Sequence, residues 1–311
     1  YATGQSRLTI SNFEAAGFTL DTLKSSLRID EDQLNGSLAA ILDGETLASG
    51  NLDLPFRTGD PQNFPESYFR QAINGELWAE TQDLSKLQPL FEQLNITGLN
   101  GKGRMTMNLS GEISEPQFEG NMRLTDVLLS GVYMDSLTAS MDYRDRQEEI
   151  NFGGDIYSME QQALEWSARL PFNMDFRDFS IDLPQAHDPI RADLTTRSFN
   201  LAILNNFMPP DQITGIQGMV DGQLSVNGTL EEPEPSGQIS LTKGRVNIVE
   251  GGVILKNIDT RTVIDTTGFK INRLHMENGK GFAEGNGLIT LNGLQPDDIQ
   301  LSLKARQFPL I

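Results

Sequence analysis

The chain has no cysteine, which excludes a disulfide framework and any thiolate metal site and fits an oxidising compartment free of stray thiols. Histidine is nearly missing as well. His187 and His275 are too few and too far apart in the chain to supply a metal centre or a Ser-His-Asp arrangement, and both read as surface residues. Aromatic residues make up only 7% of the sequence, and Lys and Arg (24) are outnumbered by Asp and Glu (43). The resulting net charge of −19 opposes binding to a nucleic-acid backbone or to an anionic membrane face. No apolar run reaches the ~18 residues of a membrane-spanning helix. No glycine-rich phosphate loop opens a helix, and Gly279-Lys280-Gly281 reads instead as a hairpin turn. Acidic clusters such as Glu112 with Glu115, and Glu231 with Glu232 and Glu234, lack the spacing of a calcium loop. No cofactor, metal or catalytic residue is expected.

What is plentiful is glycine, at 29 residues, and apolar alternation. Leu224 and Val226 alternate with Gln223, Ser225 and Asn227, and Leu164 to Leu170 does the same. So do Met105 to Leu109, Leu137 to Tyr143, and Ile299, Leu301 and Leu303. Strict period two means a strand with one apolar and one wet face. Asp43-Gly44, Asn74-Gly75, Gly251-Gly252 and Asn278-Gly279 read as turns, and such close spacing favours antiparallel neighbours. Helical spacing occurs only in short pieces: Leu84, Leu87, Leu90, Phe91 and Leu94, then Leu201, Leu204, Phe207 and Met208, with another turn at Ser67 to Ile73. These pieces either plug core or gate an opening. The run from Arg144 to Glu149 reads as a charged hairpin tip.

The sequence also repeats itself. Gly98, Gly111, Pro116 and Leu124 each stand 117 positions before Gly215, Gly228, Pro233 and Leu241, without a gap. Ile73 matches Ile190 and Leu84 matches Leu201 at the same spacing, while Leu303, Arg306, Phe308 and Leu310 echo Leu194, Arg197, Phe199 and Leu201. The expected organisation is one continuous array: residues 1–82 a partial first repeat, 83–199 a second, and 200–311 a third with the start of the next. Both ends read as cut from a longer protein.

A long repeat without long helices predicts an all-β fold with few short helices. Its sheet is elongated, curled and mainly antiparallel, and it leaves an open apolar trough built from repeats of about 117 residues. Counting alternating runs predicts on the order of 8–10 strands per unit and a length of roughly 110–140 Å at ~4.8 Å per strand. The residues expected to line the trough are Met105, Met107, Leu109, Met122, Leu124, Leu137, Met141, Leu164, Trp166, Leu170, Leu224 and Val226. The later strands add Ile239, Leu241, Val246, Ile248, Phe269, Ile271, Ile289, Leu291, Leu301 and Leu303. The methionines suit a surface that adapts to varied chains, or equally an ordinary strand core. An apolar surface of that length calls for an apolar ligand. The competing readings are a spacer or scaffold whose trough closes on itself, and a β-helix enzyme; the enzyme lacks both the short coil repeat and the carboxylate cluster.

The phrase Ile213-Thr214-Gly215-Ile216-Gln217-Gly218, followed by Gly222 to Pro233 and Gly237-Gln238-Ile239, resembles the repeats of the TamB family among the AsmA-like proteins of Gram-negative bacteria. Gly98 to Met122 carries the same pattern. The resemblance implies a periplasmic β-taco between inner and outer membranes that transports phospholipid. It further implies an inner-membrane anchor and work with an Omp85-type outer-membrane barrel in protein assembly, through segments not present in this chain.

Overall fold

The structure is a computed structural model and describes residues 2–15, 18–58, 64–93, 96–144, 148–177, 180–209, 211–293 and 295–309. The chain opens with strands β1 (Ala2–Ala15), β2 (Phe18–Glu31), β3 (Gln33–Leu42) and β4 (Glu45–Pro55). After the short helix α1 (Glu66–Phe69) comes β5 (Asn74–Thr81), then a 3-10 turn at Leu84–Leu87 running into α2 (Gln88–Glu92). The central strands are β6 (Asn100–Glu112), β7 (Glu115–Leu129), β8 (Val132–Arg144), β9 (Glu149–Ser158) and β10 (Gln161–Pro171). A small flap, β11 (Asn173–Asp175) with β12 (Ser180–Asp182), leads to β13 (Arg191–Asn200) and a 3-10 helix at Leu201–Asn206. The chain ends with β14 (Ile213–Gly228), β15 (Pro233–Ile248), β16 (Val253–Asp265), β17 (Gly268–Asn278), β18 (Gly281–Asn292) and β19 (Gln295–Arg306).

Each strand pairs antiparallel with the next, from β1 to β10, and β10 then pairs β13 and so on to β19. The result is one 17-stranded sheet beside the two-stranded flap. Among the described residues no pairing joins β1 to β19, so the sheet is an open meander. Its accessible surface of 19047 Å² is far above the roughly 13,000 Å² of a compact 34.4 kDa chain. The molecule is an elongated, all-β array.

The 117-residue period is visible in the backbone itself. Ile73 N donates to Gly111 O at 2.9 Å, and Ile190 N to Gly228 O at 2.9 Å. Ala72 bridges Glu112 as Pro189 bridges Thr229. The carboxylate of Asp83 caps the 3-10 turn at Ser85 N, and the amide of Asn200 caps the next one at Ala202 N. Gly111 and Gly228 hold φ near +98° and +89°, and a Cβ on either would sit 2.4 Å from a carbonyl oxygen of the facing turn. Only glycine fits there.

Seventeen strands span about 80 Å at ~4.8 Å each, which corrects the longer estimate. The strands are fewer because they are longer, up to 16 residues. Many continue through a β-bulge where alternation breaks in the sequence. At Ser198 and Lys243 the bulged residue lies in the left-handed region, with φ of +51° and +52°. Its N–H is held by the carboxylate of a neighbouring strand, Asp221 at 2.8 Å and Asp259 at 3.0 Å respectively. Asp126, 117 residues before Lys243, repeats the bend with φ +53°. Part of the acidic excess therefore serves the curl of the sheet. Two smaller expectations also change: Asn74-Gly75 opens β5 instead of making a turn, with Asn74 paired to Asp53. The tip predicted near residues 145–147 lies outside the described residues, although Arg144 and Glu149 pair as its flanks.

Candidate functional site: an apolar trough with bridged lips

In an antiparallel pair, directly opposed residues share a face. Following the register from strand to strand therefore assigns every side chain. Leu109 faces Phe118, Met107 faces Gly120, and Met105 faces Met122. Leu124 faces Leu137, which faces Ile156, which faces Leu164. Trp166 faces Leu194, which faces Leu224, and Leu224 faces Gly237. The series runs on through Ile264, Phe269, Ile289 and Ile299. Met141, Leu170, Val226, Ile239, Leu241, Val246, Ile248, Ile271, Leu291, Leu301 and Leu303 fall in the same series by pairing or by alternation along their strands. Every residue named from the sequence as trough lining thus lies on one face. The opposite face carries the pairs Arg104 with Arg123, Gln223 with Gln238, and Ser240 with Arg261. Val253, Leu255 and Ile264 belong to the apolar face and Val263 to the wet one, which resolves a stretch where adjacent apolar positions hide the parity.

Among the described residues the only sheet on the apolar face is the two-stranded flap at one lip, and the middle portion is bridged at both lips. On one lip residues 84–93 and 96–99 and the Leu201–Asn206 helix lean inward and meet. Asn206 Nδ2 donates to Thr97 O at 3.1 Å, and Leu84, Leu99 and Ile203 are buried with Leu124, Val127 and Met134. Between them lie β6 to β13, roughly 24 Å on a flat sheet, so contact requires the sheet to curl. Of the helical pieces that periodicity left open between core and gate, Leu84, Leu87 and Phe91 pack here, whereas Leu90 and Phe207 stay exposed; Leu94 and Leu310 lie outside the described residues. Leu124 accordingly lies on the expected face but is 9% exposed, so it is packed beneath this bridge and does not line open trough.

On the other lip, α1 and its flanks lie against the flap. Phe176 contacts Phe118, and Tyr143 contacts both Phe118 and Phe172. The Tyr143 hydroxyl accepts from Met174 N at 3.0 Å, anchoring the flap to the sheet. The flap has no simple alternation or turn signature, and the sequence reading missed it; the aromatic cluster Phe172 with Phe176 was the available signal. Between the lips, Met105, Met107, Met122, Leu137, Met141 and Trp166 remain half-buried. Beyond the bridged portion the floor opens to solvent. Leu8 and Leu38 near one end are 55% and 44% exposed, and Ile299 and Leu301 near the other 60% and 48%.

Comparison with known proteins adds nothing to this geometry: no family model, no curated protein and no solved structure matches the chain.

The two histidines sit on the wet side of this arrangement. His187 lies 2.9 Å from Glu231 on an exposed loop, and His275 lies between Glu277 and Glu284 on β17. Several exposed carboxylates are tuned by their neighbours. The Ser225 hydroxyl, and next the Arg191 guanidinium, hold the Asp193 carboxyl below its ordinary value. Asp83 is lowered by hydrogen bonds from Ser85, Asp126 by Lys102 and Asp265 by Thr267. A carboxyl depressed in the folded state contributes stability above its unfolded value, near ~3.9, and loses it as pH falls. The melting temperature should therefore be flat from about pH 8 to 5 and fall below about pH 4 in a thermal scan series. A rise in that acid range would contradict these assignments.

Proposed function

We propose that the chain holds phospholipid acyl chains on the apolar floor and conducts them across the periplasm between the inner and outer membranes. Head groups ride at the wet mouth while tails lie along the alternating aliphatic and methionine side chains. One observation carries this reading: a single-sided apolar face, 17 strands long, that among the described residues is covered by no sheet larger than the two-stranded flap at one lip. Likeness of the repeat phrase to the TamB family supports the same assignment. Attachment to the inner membrane and docking on an Omp85-type barrel belong to it as well, through segments outside this chain.

The energetics suit a passive conduit. Each methylene taken from water contributes about 0.8 kcal/mol, so a chain of roughly fifteen carbons gains on the order of 10 kcal/mol before ordering costs. Release into water is slow at that value, whereas sliding between near-equivalent sites along a repetitive floor changes little at each step. A second reading, a rigid periplasmic spacer or assembly scaffold, is favoured by the buried bridge of Leu84, Leu99 and Ile203 across the trough.

Native mass spectrometry of the chain released from micelles containing phosphatidylethanolamine and phosphatidylglycerol separates the two. The conduit reading expects one or more phospholipids retained per chain. A lipid-free chain at saturating phospholipid supports the spacer.

A further inference from the structure

The apolar trough has a side chamber at the lip where α1 meets the flap. It has a volume of about 360 Å³ and is walled by Leu54, Phe64, Tyr68, Phe69, Ile73 and Phe176, among others. That size falls within the ~300–1,000 Å³ of small-molecule sites. Of 16 phenylalanines and five tyrosines in the chain, five and two gather at this lip: Phe64, Phe69, Phe118, Phe172 and Phe176, with Tyr68 and Tyr143. The Tyr68 hydroxyl donates to Pro55 O at 3.0 Å, and burial raises its pKa against the opposing charge of Arg57. Arg177, ion-paired with Asp175, completes the chamber lining, and outside it the Arg57 guanidinium lies 5.4 Å from the centre of the Phe64 ring.

The repeat shows that this aromatic wall is not needed to hold the lip in place. Ser114 N donates to Phe69 O at 2.9 Å, and 117 residues on Glu231 N donates to Ala186 O at 2.8 Å. The backbone clamp is conserved between the units, but Tyr68 and Phe69 are matched by Gln185 and Ala186. Pro55-Phe56 recurs as Pro171-Phe172, and there Arg57 is matched by Asn173. The second unit builds the same lip with neither the aromatic wall nor the cation. What the first unit adds is therefore chemistry beyond scaffolding: an apolar hollow with an exposed arginine over the Phe64 ring of its wall, in a chain of net charge −19.

We infer that this chamber seats one acyl chain of a phospholipid whose phosphate lies against Arg57, a loading position beside the main trough. The inference rests on the conduit reading above. An apolar tail fits the wall, and an anionic head group fits a guanidinium that meets no carboxylate among the described residues.

The test places a photo-cross-linking phenylalanine analogue at Phe176 in the chamber, or at Val226 on the trough floor, and irradiates the chain with phosphatidylglycerol vesicles. Phospholipid adducts are expected at both sites. Arg57→Glu should cut the Phe176 adduct at least fivefold and leave the Val226 adduct unchanged. The paired change Tyr68→Gln with Phe69→Ala installs the second unit's own residues, so the lip should still fold, and it should remove the Phe176 adduct alone. Adducts at Val226 with none at Phe176 would overturn the chamber while leaving the conduit standing. Adducts at neither site would overturn both. A Phe176 adduct indifferent to Arg57→Glu would overturn the head-group assignment.

Discussion

Arginine in place of Val226 is expected to leave the chain folded and to reduce phospholipid retention at least tenfold. Val226 lies on the apolar floor between Ala192 and Pro235 of the flanking strands, and it is half-buried, so its face still meets the open trough. An arginine there can extend its stem along the floor and carry its guanidinium toward the mouth, which is why folding should survive. A tail sliding past would have to strip water from that charge or leave the floor, and either costs several kcal/mol. The control is Asn227→Arg, one residue away on the wet, exposed face, which should change nothing. Circular dichroism reports the fold and native mass spectrometry the retained lipid. Equal retention in both variants would count against a continuous floor.

The second large effect concerns stability. Met134 is 1% exposed, packed with Val127, Leu84 and Ile203 beneath the bridge between the two helical segments. Met134→Ala removes most of a buried side chain where two separate excursions converge, and should cost about 2–5 kcal/mol. Leu27, on the same face but 46% exposed, should cost less than about 1 kcal/mol when changed to alanine. Apart from the bridge and the flap, the strands make their contacts mainly with paired neighbours, so the loss should be local. Hydrogen exchange should speed up at the β7–β8 hairpin and in residues 84–99, with β16 to β19 unaffected. Uniform loss of protection across the array would show that the bridge is not a separate cooperative unit.

Much of this architecture was legible because alternation and repetition are one-dimensional signals. The series Leu224, Val226 and Ile239, Leu241 needs only period two and a glycine turn to be placed on one face. Gly111 and Gly228 mark the same tight approach at the same spacing. Strand count was not legible, since a bulge such as Ser198 or Lys243 makes one strand look like two. Neither residue is a glycine; each is held in the left-handed region by an aspartate from another strand. The bridged lips were not legible for the same kind of reason. Thr97 and Asn206 meet only because the six intervening strands of the sheet curl, and no local pattern encodes that distance. Asn74-Gly75 shows the converse error. It has the composition of a turn, yet Gly75 lies in a paired strand where a Cβ would crowd Leu52 Cδ1 at 3.0 Å and Asn51 O at 3.3 Å.

Cross-linking from adjacent residues on opposite faces tests the central assignment most directly. Leu241 lies on the floor and Ser240, paired with Arg261, on the outside. With a photo-reactive side chain at each in turn, and phospholipid vesicles present, lipid should be captured from position 241 and not from 240. Equal capture from both, or capture from 240 alone, would mean that the apolar face is not where acyl chains lie.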